Sequence, residues 1–323
     1  MNSLLRVARA VNEQLPRTLR RHPAAKYIES WARHRPRPDA YHGRILDPEE
    51  GNLWIADALA RERPVLVGRL GSVELECVRQ FQAKASRTSE VTFSPRTLRK
   101  MSNNAGFFPV THTLLCQFAE VYLDAVAQLD AVGIWFNPGE DQVLRTRCPR
   151  SVVMPLRSIE PYYHHLPWSA QLRGKRVLVV HPFAETILRN YSSRRDLLFP
   201  DRDVLPPFSI EVMPAVQSIA GSSPPFKDWF DALDAMKTEV ARREFDVCLI
   251  GAGAYGLPLA AFVKSLNRTA IHLGGATQIL FGIRGHRWDS NPDVARLYND
   301  SWCRPSAAER PDGYLRVERG AYW

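Results

Sequence analysis

A chain of 323 residues, 45% apolar and 10% aromatic, has room for one large α/β domain or two smaller ones and ample material for a core. Its net charge of +9 is concentrated in residues 1–44, which carry ten basic and three acidic groups. The nearly neutral body gives no electrostatic reason to expect nucleic acid as a partner. No apolar run reaches membrane-spanning length, no secretory core is visible, and five scattered cysteines lack C-x-x-C spacing. A reducing, cytoplasmic setting is expected.

In chain order, residues 1–44 form a basic leader ending in the proline-interrupted stretch Arg33 to Pro38. It is read either as a peripheral contact to an anionic membrane surface or as a solvated arm. The folded body is expected over residues 45–298. A helix across 51–62 precedes a first buried strand at Pro64–Arg69. Apolar residues at helical intervals mark 111–128, and strands recur at Val132–Phe136, Ser151–Met154, Arg176–His181 and Ile210–Met213. The stripe Phe226, Trp229, Phe230, Leu233, Met236 and Val240 defines a helix over 226–243 with acidic residues first and basic residues last. A strand at Val247–Ile250, a glycine turn, an amphipathic helix and a strand at Thr269–His272 complete a βαβ unit. The polar residues 299–323 are expected to wrap the surface. Strands alternating with helices predict a Rossmann-like α/β fold: a mostly parallel sheet with helices on both faces, in a single main domain.

Four strand-end turns carry candidate chemistry. Gly251, Gly253 and Gly256 match G-x-G-x-x-G, a turn that brings backbone N–H groups close to phosphate or simply packs a helix tightly on a strand. The next strand ends His272-Leu-Gly-Gly275 with no carboxylate for ribose hydroxyls, which disfavours NAD. In the second turn Arg69 offers a planar fork for phosphate oxygens, Ser72 can cap the following helix, and Glu74 falls in its first turn. In the third, Pro182 holds His181 at the carboxyl edge of the sheet. The fourth, Asn137 to Asp141, places Glu140 and Asp141 side by side. His181, Glu140 and Asp141 are the candidate general bases.

Together, Arg69-Leu-Gly-Ser-Val-Glu-Leu75, Asn104-Ala-Gly-Phe-Phe-Pro109, His181-Pro-Phe-Ala-Glu-Thr-Ile187 and the block from Phe245 to Trp288 resemble the GT-D-type glycosyltransferases, bacterial proteins that use nucleotide-sugars. The resemblance covers residues 60–290. It implies a sugar transfer from a nucleotide-diphosphate-sugar to a glycan or lipid-linked acceptor in surface polysaccharide or glycoconjugate assembly. The residues expected to bind the donor are Arg69, Gly71, Ser72, Gly251, Gly253, Tyr255, Gly256, His272 and Gly274, with Arg284 as a candidate helper. The family's metal motif is Asp-x-Glu; its glutamate falls on Glu74, a ligand for Mn²⁺ or Mg²⁺, and its aspartate position is Ser72. One carboxylate with diphosphate oxygens, recruitment of Glu140 or Asp141, and metal-free transfer all stay open, as does a non-catalytic nucleotide-sugar sensor or scaffold.

Overall fold

The protein is described here by a computed structural model covering residues 37–85, 91–222 and 224–323. The basic leader lies mostly outside the described residues. Its last part packs on the body, where Tyr41 is buried, and Ile45, the first residue of the expected body, bridges to Val153. No helix among the described residues is long and apolar enough to cross a membrane.

Seven parallel strands form one sheet in the order β3-β2-β1-β7-β6-β4-β5. They are β1 (Leu66–Gly68), β2 (Ala131–Ile134), β3 (Val152–Pro155), β4 (Arg176–His181), β5 (Ser209–Pro214), β6 (Val247–Ile250) and β7 (Thr269–His272). Parallel neighbours need crossovers, which supply the helices that cover both faces. The longer ones are α1 (Pro48–Ala60), α2 (Ser72–Ala85) and α4 (His112–Val126), with short α3 (Pro95–Lys100) between the last two; α5 (Glu140–Arg147), α6 (Ala184–Leu198), α7 (Trp229–Ala241) and α8 (Gly256–Ser265) follow. Three short helices, α9 (Ala276–Leu280), α10 (His286–Asp289) and α11 (Pro292–Ala295), lead into the C-terminal segment.

The two-residue period of a strand sorts the core. Leu66, Val132, Leu178 and Ile250 face one layer, with Leu115, Phe118, Trp229 and Leu257. Val67, Val179, Leu249 and Ile271 face the other, with Ile55, Leu59, Ile187 and Ile279. Each such side chain contributes about 1.5–3 kcal/mol on burial.

Helix starts follow their caps. Asp47 accepts from Glu50 N at 2.8 Å while Glu50 accepts from Asp47 N at 2.9 Å, starting α1 three residues before its apolar spacing suggested. Asp228 accepts from Phe230 N and Asp231 N, so α7 begins at Trp229 and not at Phe226.

The chain leaves β1 towards β2 and leaves β4 towards β5, while β7 and β6 fill the gap between these diverging halves. A crevice therefore opens at the carboxyl ends of β1, β7, β6 and β4, the place where open α/β sheets hold ligands.

The C-terminal segment departs from its expected surface role. Val317 and Ala321 are buried. Gln278 donates to the Tyr322 carbonyl at 2.9 Å, Arg287 N donates to the Ala321 carbonyl at 2.9 Å, and Trp323 packs edge-on against Phe183 at 5.8 Å. Its aromatic residues hide apolar surface that a polar average over the segment conceals.

Candidate functional site

The crevice is a cleft of about 280 Å³. Arg69 follows β1 directly. Its guanidinium stacks on Trp135 at 4.3 Å, and a Cβ added to Gly274 would lie 3.6 Å from it. Trp135 is pinned in turn, its indole N–H donating to the Leu70 carbonyl at 2.9 Å. The guanidinium makes no hydrogen bond and no close ion pair with any described residue. Five donors in a fixed fork are left for a ligand.

Beside Arg69, α2 starts at Ser72, and Ser72 and Val73 line the cleft. Gly71 N–H is already given to Tyr122 Oη at 3.1 Å. Glu74 turns back over Gly71, and its carboxylate accepts from its own backbone N–H. Burial raises its pKa, while that hydrogen bond and Arg69 hold it down. The amides of Ser72 and Val73 thus open the helix towards the cleft next to a free arginine, an arrangement suited to an anion.

The glycine turn after β6 has a larger packing role than its motif suggested. Gly251 N–H donates to the Val180 carbonyl at 2.9 Å, and Tyr255 N–H to Ala252 at 3.1 Å. A Cβ on Gly251 would come within 2.7 Å of His181 Cδ2 and Thr277 Oγ1, because the loops after β4, β6 and β7 meet there. A Cβ on Gly256 would overlap the His272 ring. Gly253 has φ of +52°, and a Cβ there would lie 3.0 Å from the Ala105 carbonyl oxygen. Gly251, Gly253, Tyr255, His272 and Gly274 line the cleft, whereas Gly256 sits behind it. Tyr255 stacks on Trp229 at 5.0 Å and pairs with Ser218 Oγ at 2.8 Å.

The candidate bases fare differently. His181 lines the cleft, but its Nδ1 accepts from Phe183 N at 3.0 Å, so the neutral ring carries its proton on Nε2. Burial pushes its pKa down to about 3. It is a hydrogen-bond donor to the cleft and not a base. Glu140 is fully buried outside the cleft, where one oxygen accepts from Tyr41 Oη at 2.8 Å, Asn137 N at 3.2 Å and Trp135 N at 3.3 Å. Asp141 pairs with Arg145 at 3.3 Å, also outside. Arg284 stacks on Tyr298 at 4.6 Å away from the cleft and is no helper there.

Sequence reading missed Glu160. This residue follows β3 at the junction of two short 3₁₀ turns, Leu156–Ile159 and Pro161–Tyr163, and lines the cleft. Burial drives its pKa up to about 7, against the opposing pull of Arg69, of a hydrogen bond with Tyr162 and of Arg157. Its signal was an acid before a proline just past a strand, the same kind of place as the other turns. Arg287, Trp288, Glu318, Tyr322 and Trp323 close the outer side of the cleft and were also missed. Arg287 donates to Tyr322 Oη at 3.0 Å.

Among the described residues, no three of His, Cys, Asp and Glu gather as metal ligands. Glu74 is folded onto its own helix, and its motif partner is the Ser72 hydroxyl. This donor set does not fit a protein-held Mn²⁺ or Mg²⁺. The positive charges that the cleft does present are Arg69 and, on the outer side, Arg287, which lies 3.9 Å from Glu318.

No protein-family model and no curated protein sequence matches the chain. Solved structures do resemble it. One, described as the highly conserved domain of unknown function 1792 with a distinct glycosyltransferase fold, is 12% identical at a TM-score of 0.45, with 84% of this chain and 94% of that chain covered. A selenomethionine-substituted structure of domain 1792 is 13% identical at a TM-score of 0.44, with the same coverage. A new glycosyltransferase of that domain from Streptococcus sanguinis is 12% identical at 0.41, with 86% and 98% covered. Two of these three structures are described as a glycosyltransferase or a glycosyltransferase fold.

Proposed function

We propose that this protein is a glycosyltransferase that holds a nucleotide-diphosphate-sugar in the cleft and passes the sugar to an acceptor hydroxyl on a glycan or lipid-linked molecule. The observation that carries this reading is Arg69: a guanidinium stacked on Trp135 and close to Gly274, with its donors unused, beside the open start of α2. Sugar transfer releases a diphosphate, and preorganised donors lower the barrier by meeting the negative charge that grows on it. Arg69 and the Ser72 and Val73 amides are such donors. The neutral His181 Nε2–H adds one more. Trp288, Tyr322 and Trp323 supply flat apolar faces on the outer side, suited to a nucleobase or a sugar ring.

The test is the melting shift of the full chain with UDP, GDP, CDP, ADP and NAD⁺, each with and without Mn²⁺. We expect one nucleoside diphosphate to raise the midpoint, with little added by Mn²⁺ and no response to NAD⁺. No shift with any of them sinks the reading. The Ser72 substitution in the metal motif favours one second reading, a nucleotide-sugar sensor without turnover. Binding with no release of nucleoside diphosphate from any nucleotide-sugar would establish it.

A further inference from the structure

Resting on that reading, transfer still needs a group to take the proton of the acceptor hydroxyl, and the cleft offers few. Its titratable acceptors are Glu74, Glu160, Glu318, His181 and His272. Glu74 is engaged with its own helix amide. The Glu318 side chain is 49% exposed and is drawn to Arg287 at 3.9 Å and Asn104 at 3.2 Å. His181 presents a donor. Burial and Arg69 push His272 down to about 3, too weak a base to hold an alcohol's proton.

We propose that Glu160 is the general base of an inverting transfer. A Glu160 carboxylate oxygen takes the acceptor's O–H proton as the acceptor oxygen bonds to the anomeric carbon. The bond from that carbon to the diphosphate oxygen breaks, and its electron pair leaves with the nucleoside diphosphate towards Arg69. Attack from the face opposite the leaving group inverts the anomeric centre.

The placement supports this. Glu160 stands after β3, on the far side of β2 and β1 from the glycine turn, so acceptor and donor would enter from different strand ends. The groups facing it are Arg69 from the β1 loop and Arg157, Tyr162 and Tyr163 from its own turn. Arg69 serves both partners: it steadies the departing diphosphate and keeps Glu160 ionisable in a half-buried place. A carboxyl titrating at about 7 is matched to accepting a proton near neutral pH.

The experiment uses the full chain with UDP-, GDP-, CDP- and ADP-hexoses, reading nucleoside diphosphate release against pH and the product's anomeric configuration by NMR. Wild type should show a rate that rises through pH of about 7 and then levels, with inverted product. Glu160→Gln should keep the nucleotide-induced melting shift, lose about 10²–10⁴-fold in rate and lose the rise with pH. Glu160→Asp should recover part of both. A retained anomer, a wild-type rate in Glu160→Gln, or a pH rise that persists in that variant overturns the assignment while leaving the glycosyltransferase reading intact. A wild type that neither binds nor releases any nucleotide removes the reading itself, and this assignment with it. Wild-type stereochemistry and pH dependence decide the matter even if a variant fails to fold.

Discussion

Glu140 and Glu160 follow neighbouring strands, β2 and β3, and burial raises both carboxylates to about 7. Their surroundings differ completely. Glu140 receives the Tyr41 hydroxyl and the amides of Trp135 and Asn137, and so ties the chain entering the domain to the turn that carries Trp135. Glu160 looks into the cleft under the field of Arg69. The lesson is that a displaced pKa reports burial, and only access to a ligand turns burial into chemistry. Glu140 holds the wall that Arg69 leans on, and Glu160 works in front of it.

The largest effect should come from Glu160→Gln, whose loss of about 10²–10⁴-fold in rate has no counterpart at Glu140. An equal loss in Glu140→Gln, measured as nucleoside diphosphate release by folded protein, would erase the distinction. Next, Arg69→Ala should weaken nucleoside diphosphate binding by about 10- to 100-fold, the scale of one or two charged hydrogen bonds, with the melting midpoint of free protein little changed. The same variant should move the pH rise in rate upward, because Arg69 holds the Glu160 pKa down. An unchanged affinity would take the arginine out of the site.

A smaller effect concerns stability. The Glu160 carboxyl keeps its proton up to about 7 when folded against 4.5 in its ordinary state, so across that window the folded state binds more protons than the unfolded. This group's contribution to stability therefore falls as pH rises from about 4.5 to 7. Glu160→Gln should gain in melting midpoint relative to wild type between pH 5 and pH 8. A constant difference would place the group in water. The smallest effect is expected for Tyr41→Phe, which removes one of the Glu140 hydrogen bonds: about 1–2 kcal/mol of stability, read by denaturant unfolding, with turnover unchanged.

Much of the fold was legible because central strands in a parallel sheet are short, largely apolar runs. The buried runs 177–180 and Val247–Ile250 mark β4 and β6. Helix limits were less legible where a cap overrides periodicity, as at Asp47 and Asp228. For the site, Arg69, Ser72, Glu74, His181, His272 and the glycine turn were visible as residues at strand ends, and the structure brings them to one cleft. Glu160, Arg287 and the aromatic residues of the last segment were not, since neither periodicity nor a local motif marks them.

What the sequence determined alone was the register of apolar runs, hence the layered α/β fold, and the set of strand-end turns from which any site had to be drawn. Local spacing suffices for that, because it fixes which backbone is buried and where it emerges. The tertiary structure decided the roles. It sent Glu140 and Arg284 outside the cleft and gave His181 its proton on Nε2. It folded Glu74 onto its own helix and set Glu160 in the same cleft as Arg69, within reach of its charge. Burial, hydrogen-bond partners and neighbouring charges depend on strand order, and the β3-β2-β1-β7-β6-β4-β5 arrangement is a property of the packed chain, not of any one segment.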